Sequence, residues 1–565
     1  MRHRIHLALF AVIAPLACGG DDPAAPLPAD ASTDAPPMDV PADVPITGPA
    51  RFSVEHYDYD LDLESRRATA RLRVRLSTAG DCLTLPFRPE AAEEVTLDGA
   101  PARDVAVAGG RLAACDPTGH GWAAGSTVTL SVSATLPTGT LRSTQVGFST
   151  RRDLAGGTFT YLLSWVAQCD RFGPCDNDPG VFATYHFDVS HPSGTQVLCP
   201  GTITATATRT SCDFAFAGGP TYSTFGVMAG QRWVARSLGR AGKVALTLHD
   251  LPGSGVAEAL DPSRVRGMLG FMSERFGPYP YGDALRLVVA PTTWAGFEHP
   301  GNIALAQTLA SGNAEHTTFH EIAHQWAGDQ STIASVRDFV WKEAMAEYLA
   351  FVYESTRITE ARGLLTARVW KDSSRSLRHH PVPTGDVAIN DFYGSAYGPG
   401  PMVLFRQLEV RYSRDAVMGA LQDLLGRPRA LSLADVRQAL ERRTGADLEA
   451  YVRGWLVGEG APTWPTARVE RNTAADGAVT VTVNPHGSGR GMMFVVRVEG
   501  AAGERQDIPV DLGIDGSRPS TVTARPGFVV TRVTIDPDAQ ALVYEEPAAG
   551  SALVEPPPST PWLAP

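Results

Sequence analysis

The spacing of apolar residues changes period twice along this chain, and that change limits the possible folds more than any other feature. From Arg51 the period is two: Tyr57, Tyr59, Leu61 and Leu63 alternate with Asp58, Asp60, Asp62 and Glu64, as in a strand with one buried and one solvated face. After a break at Ser65-Arg66-Arg67, Leu72, Val74 and Leu76 alternate with Arg71, Arg73 and Arg75. An antiparallel hairpin would set these arginines across from the aspartates. Val128, Leu130, Val132, Ala134 and Leu136 continue the alternation, and residues 49–248 read as an N-terminal β-sheet domain of saddle or sandwich type. Over 249–461 the period moves towards 3.6, with helices expected around 261–275, 313–327, 335–355, 400–412 and 433–456. Strands return at Val479, Val481 and Val483 after Asp476-Gly477, and at Phe528-Val529-Val530 and Val533. Residues 462–547 therefore read as a small C-terminal β-sandwich, followed by a Pro-rich tail over 548–565. The expected class is multidomain α and β, with an α-rich middle.

The first segment reads as an address. Arg2 and Arg4 precede an apolar run, Ile5 to Ala17, that is too short to span a bilayer and ends at Leu16-Ala17-Cys18. It resembles a bacterial lipoprotein signal, with Pro15 in place of the usual aliphatic residue, and the resemblance implies lipidation of Cys18. An ordinary secretory signal cleaved nearby is the alternative, and both imply export. Residues 19–48, mostly Asp, Ala and Pro, read as an extended tether. Cys82, Cys115, Cys169, Cys175, Cys199 and Cys212 form an even set before residue 213, as disulfides in an exported chain would. Nearest-neighbour pairing is preferred among the possible schemes, and no C-x2-C pair suggests a thiolate zinc site. With 49 Lys+Arg against 61 Asp+Glu, the net charge of -12 would repel phosphate backbones, so no nucleic-acid partner is expected.

The middle region carries His320-Glu321-Ile322-Ala323-His324, with Asn313 as a plausible helix N-cap and Gly328 as a plausible stop. Helical spacing puts both imidazoles on one face, where they can share one Zn2+, and places Glu321 to take a proton from a water held there. Alone, the motif is compatible with a helix bearing two ordinary histidines. Glu343, after 18 intervening residues, adds a carboxylate from a second helix-like segment capped at Ser335 with Asp338 in its first turn. A His2Glu set leaves a fourth position open, as catalytic zinc sites do. One turn on, Glu347 either accepts the outer N–H of a ligating histidine or is solvated.

These residues resemble the aminopeptidase N-like zinc metallopeptidases, which share H-E-x-x-H-x18-E and include the leukotriene hydrolases. Thr318-Phe319-His320-Glu321-Ile322-Ala323-His324-Gln325-Trp326 is similar to the family's zinc helix. Glu343-Ala344-Met345-Ala346-Glu347-Tyr348 is similar to its third-ligand segment, with Lys342 for the usual Asn and Ala344 for the usual Gly. Ala295-Gly296-Phe297-Glu298-His299-Pro300-Gly301 resembles the G-x-M-E-N strand, with Phe297 for Met and His299 for Asn. That match implies that Glu298 binds the substrate's free α-amine, and an ammonium-carboxylate pair near the zinc would give an exopeptidase its register. His380-Pro381-Val382 and Asp391 to Gly400 resemble the segment ending in Y-x-K-G, with Pro399 for the basic residue. They imply Tyr397 as the oxyanion donor, with Tyr393 as runner-up. Gly173-Pro174-Cys175-Asp176-Asn177-Asp178-Pro179 resembles P-C-x-D-x-P, and Gln168 nearby corresponds to a second amine anchor or to a plain loop amide.

The resemblance implies a thermolysin-like catalytic domain with one Zn2+ per chain, held by His320, His324 and Glu343 and acting on peptides with a free N-terminus. Longer members add a C-terminal helical domain that this sequence does not carry, so a more open cleft is expected. The membrane is expected as a partner only through Cys18. A zinc endopeptidase on the same ligands is one rival, which cleavage of acetylated peptides would favour. A catalytically silent binding module, made conceivable by Lys342, Phe297 and Pro399, is the other; hydrolysis by zinc-loaded protein would exclude it.

Overall fold

The structure, a computed structural model, describes residues 47–138, 146–311, 313–471 and 477–546. The Cys18 segment, the 19–48 tether except residues 47 and 48, Asp476 and the 548–565 tail lie outside the described residues.

The N-terminal part is built on an eight-stranded sheet, in which Phe52–Asp62 pairs antiparallel with Arg67–Leu76 and parallel with Phe182–Ser190. The expected faces form. Tyr57 and Tyr59 stack with Tyr185 and Phe187 beneath the edge of Phe225, all buried. On the other face Arg71 meets Asp58 at 3.4 Å and Arg73 meets Glu55 at 3.2 Å. Three disulfides join Cys82 to Cys115, Cys169 to Cys175 and Cys199 to Cys212, the nearest-neighbour scheme.

The expected boundary at 248 is corrected, because it cuts through a sheet. Val234–Ala241 and Val244–Asp250 pair with each other, and the second continues in parallel through Ala284–Ala290 to Asn302–Ala306. A two-residue edge strand, Gly296–Phe297, closes this five-stranded sheet antiparallel to Asn302–Ala306. Alternation in 234–248 marks a strand but does not say which sheet owns it.

Helices pack against this sheet. Pro262–Phe276 is capped by Asp261, whose side chain accepts from Ser263 N and Arg264 N. Ala314–His324 ends three residues before the expected 327, and its predicted cap Asn313 makes no cap bond; the Asn313 Oδ1 accepts from Arg362 Nη2 instead. Ser335 precedes a single tight turn, Val336–Asp338, and the helix proper is Phe339–Tyr353. The expected helix over 433–456 is two, Leu433–Thr444 and Glu449–Leu456, separated where Gly445 adopts φ 71°. Beyond Pro462, two small sheets supply Val479, Val481 and Val483, and Phe494, Val496 and Val498, to a shared core. Buried Asp536 fastens this β unit to the helix Glu360–Ser373 through Lys371 Nζ, 2.5 Å away.

Candidate metal centre and peptide cleft

Every residue of Phe339–Tyr353 is buried. In such a helix charged side chains are costly unless paired, so Lys342, Glu343 and Glu347 stand out. Packed against it, Ala314–His324 brings His320 and His324 to the same place. Their Nε2 atoms lie 2.9 Å apart, and each is 3.3 Å from Glu343 Oε2. His324 Nδ1 donates to Ala327 O at 2.9 Å, which leaves the Nε2 lone pair facing inward. His320 Nδ1 lies 3.0 Å from Glu347 Oε1, close enough for charge pairing but off the ring N–H axis. Two imidazole nitrogens and one carboxylate oxygen, buried and all within 4.8 Å of one another, fit a zinc ion by the chemistry of the donor set.

Glu321 lies on the cleft side of the same helix. Burial raises its pKa above the carboxylate range, with Glu298 and Glu343 adding to the shift and His320 opposing it. The edge strand passes so close that a Cβ on Gly296 would sit 2.3 Å from Glu321 Oε1. A side chain at 296 would therefore have to displace the Glu321 carboxylate. Gln325, just past the helix, ties the two together: its Nε2 donates to Glu298 O at 2.6 Å and its Oε1 accepts from Gly301 N and Tyr279 OH, each at 2.9 Å.

Lys342 sits between the two segments, 1% exposed. Its Nζ donates to Glu343 Oε1 at 2.7 Å and lies 2.9 Å from Glu298 Oε1, the latter a charge contact without hydrogen-bond direction. Burial would push Glu298 up, but the Lys342 ammonium and then the His324 ring hold it below the usual range. The carboxyl expected to meet an incoming amine thus already has a cation beside it.

The cleft is walled by Trp165, Trp294, Phe297, Tyr393 and Tyr397. Tyr397 has its ring centre 6.0 Å from that of His320, whereas Tyr393 packs on Trp165 and Trp294 at 5.5 and 5.7 Å. The two tyrosines are neighbours at 6.2 Å, with Tyr397 the one against a histidine of the metal set. Gln168 is not among the residues that line the cleft: it stands at the N-cap position of the tight turn Cys169–Arg171 without a side-chain bond to it, its Oε1 is buried without a partner, and Trp165 lines the cleft from this segment. The positive φ of Ala167, 58°, redirects the chain between them.

His316 escaped the sequence reading. One turn before His320, it is held between Glu347 Oε2 at 3.2 Å and Glu354 Oε2 at 3.1 Å. Burial alone would lower its pKa, but Glu354 and Glu347 together lift it to about 10. Glu347 Oε2 also accepts from Trp370 Nε1 at 2.6 Å, and Glu354 from Thr366 and Arg362. A third histidine at the same four-residue spacing was the available signal.

Residues 264–455 match the peptidase family M1 domain. Over 182 residues the chain is 28% identical to aminopeptidase N of Streptomyces lividans, a match covering 29% of this chain and 20% of that one. The chain thus spans about a fifth of that relative's length. An M1 zinc metallopeptidase from Deinococcus radiodurans superposes with a TM-score of 0.61 at 22% identity, over 73% of this chain and 96% of that one. A variant of that enzyme bound to a Tyr-Ser-Ala substrate gives 0.60 over 73% and 95%, also at 22% identity.

Proposed function

We propose, from the premise that this chain belongs to the aminopeptidase N-like zinc metallopeptidases of family M1, that it is a zinc-dependent aminopeptidase releasing the first residue of peptides. The observation that carries the reading is the convergence of His320, His324 and Glu343 in one cleft with Glu321 and Glu298. His320, His324 and Glu343 would hold Zn2+, which would supply Lewis acidity to the scissile carbonyl and the attacking water. Glu321 would take a proton from that attacking water and hand it to the leaving amine. The Tyr397 phenol donates to the developing oxyanion. Glu298, fixed by Gln325 through its own carbonyl, faces the substrate's N-terminal end and so sets which bond lies over the ligands. Glu347 orients His320.

The test uses peptides longer than six residues, free and N-acetylated, with and without a chelator. Stepwise, chelator-sensitive release of single residues from the free end is expected. Internal cleavage of acetylated peptides would replace this reading with a zinc endopeptidase, which the Lys342–Glu298 contact favours. Export and lipid attachment at Cys18 belong to the same proposal, and the three disulfides support the export. A Cys18→Ala protein recovered in the membrane fraction as before would sink the anchor.

A further inference from the structure

We propose that Lys342 is a specificity-determining residue, whose ammonium satisfies part of Glu298's demand for a cation, so that peptides with an uncharged N-terminus are accepted nearly as well as free ones. The inference rests on Glu298 facing the substrate's N-terminal end, as read above.

The argument is one of charge in a buried space. Glu298, Glu321 and Glu343 line this end of the cleft, and all three are buried. With Lys342 supplying one positive charge and a divalent cation on His320, His324 and Glu343 supplying two, the three carboxylates are matched even when Glu321, whose pKa burial raises, is ionised, and Glu347 has its own partner in His316. A free α-ammonium would bring a fourth positive charge into a low-dielectric site, where an uncompensated charge is expensive. Were residue 342 neutral, the same ammonium would supply the missing third charge and find Glu298 unpaired. Position matters as well as charge. Lys342 Nζ lies 2.9 Å from Glu298 Oε1, within the space a substrate ammonium would need to pair with that oxygen. Nor can the lysine swing away freely. It is 1% exposed, its Cε lies 3.0 Å from where a Cβ on Gly328 would stand, and its Nζ is tied to Glu343 Oε1.

The same contacts give the lysine a positioning role. By occupying Oε1 of Glu343, Lys342 leaves Oε2 as the oxygen turned to both histidines. A Lys342 substitution therefore acts on zinc affinity and on N-terminal discrimination, and only the second reports the specificity role.

The test is binding, not turnover. Leu-Ala-Ala amide and its N-acetyl form are titrated by calorimetry into zinc-loaded Glu321→Ala protein, in which hydrolysis is suppressed, with Lys342 intact or replaced in Lys342→Asn and Lys342→Met. With Lys342 intact the capped peptide is expected to bind less than about tenfold more weakly than the free one, and a larger ratio overturns the proposal. In the two variants, at matched zinc content and with cooperative thermal unfolding retained, the ratio should rise at least about tenfold, chiefly by tightening of the free peptide. A ratio unmoved by either substitution also overturns it. If neither variant folds, the ratio measured with Lys342 intact decides. Failure of the aminopeptidase reading shows elsewhere, as internal cleavage by the unsubstituted enzyme, and leaves the two affinities to be judged on their own.

Discussion

Replacing Glu347 by Gln tests how far the carboxylate behind His320 governs the metal. The substitution keeps shape and volume but removes the charge that meets His320 Nδ1 at 3.0 Å, His316 Nε2 at 3.2 Å and Trp370 Nε1 at 2.6 Å. His316 and Trp370 donate N–H groups to Oε2, while Oε1 faces His320 Nδ1 as a charge contact. The carboxylate serves both sides, whereas an amide has one oxygen and must turn its NH2 towards either His320 or the His316–Trp370 pair. Loss of such an outer partner typically weakens metal binding about 10–100-fold, or ~1.4–2.7 kcal/mol. Fold stability should fall too, because His316 loses one of the two carboxylates that hold it. With Glu354 still in place, the loss should lie at or below the ~3 kcal/mol lower bound for breaking a buried pair. Competition against a chromogenic chelator measures the zinc dissociation constant, and Glu354→Gln is the control, since it perturbs His316 without touching His320. Zinc affinity unchanged in Glu347→Gln, or weakened equally in Glu354→Gln, would refute the reasoning.

Three further outcomes follow from the same coordinates. Tyr397→Phe should lower kcat about 10²–10³-fold with little change in KM, while Tyr393→Phe, further from the histidines, should leave kcat nearly unaltered; the reverse pattern in steady-state kinetics would exchange their roles. Asp536→Ala removes the partner of buried Lys371 and the acceptor of Gln540 N and Ala541 N. It should destabilise the C-terminal attachment by ~3–5 kcal/mol in denaturant unfolding, and a loss below ~1 kcal/mol would be too small for a broken buried pair. In chelator-treated protein, stability should depend on pH through His316. Its pKa is raised to about 10 in the fold, so its contribution is complete below the ordinary 6.5 and disappears as pH rises through about 10. Glu347 and Glu354 are depressed, Glu347 by His316 and both against burial, so their contribution is present above about 4.5 and disappears on acidification. An alkaline decline of the same size in His316→Gln would assign it to other groups.

The parts of this molecule that were legible in sequence are those where one face of an element differs from the other. Tyr57, Tyr59 and Leu61 against Asp58 and Asp60 specified a half-buried strand and its register partner, and helical spacing put His320 and His324 on one face. Where both faces are buried that contrast vanishes. Leu287, Val288 and Val289, and Ile303, Ala304 and Leu305, form central strands with no alternation, so the five-stranded sheet was absorbed into an α-rich reading and the boundary fell inside it. The site divides in the same way. Spacing along one helix gives direction, and it brought out the two histidines and Glu347. It does not give the partner across the gap, which depends on how edge strand and helix meet. Lys342 could be noted as a departure from a family pattern, but its contact with Glu298 joins a helix to an edge strand that runs close to Glu321 at Gly296 and is held by Gln325 at the Glu298 carbonyl. Around Gln168 the backbone turns at Ala167, and Trp165 is the residue of that segment that lines the cleft. The charges that face each other at this end of the cleft are thus set by contacts between elements distant in sequence, and a substitution there changes them without disturbing the periodicities that specify the fold.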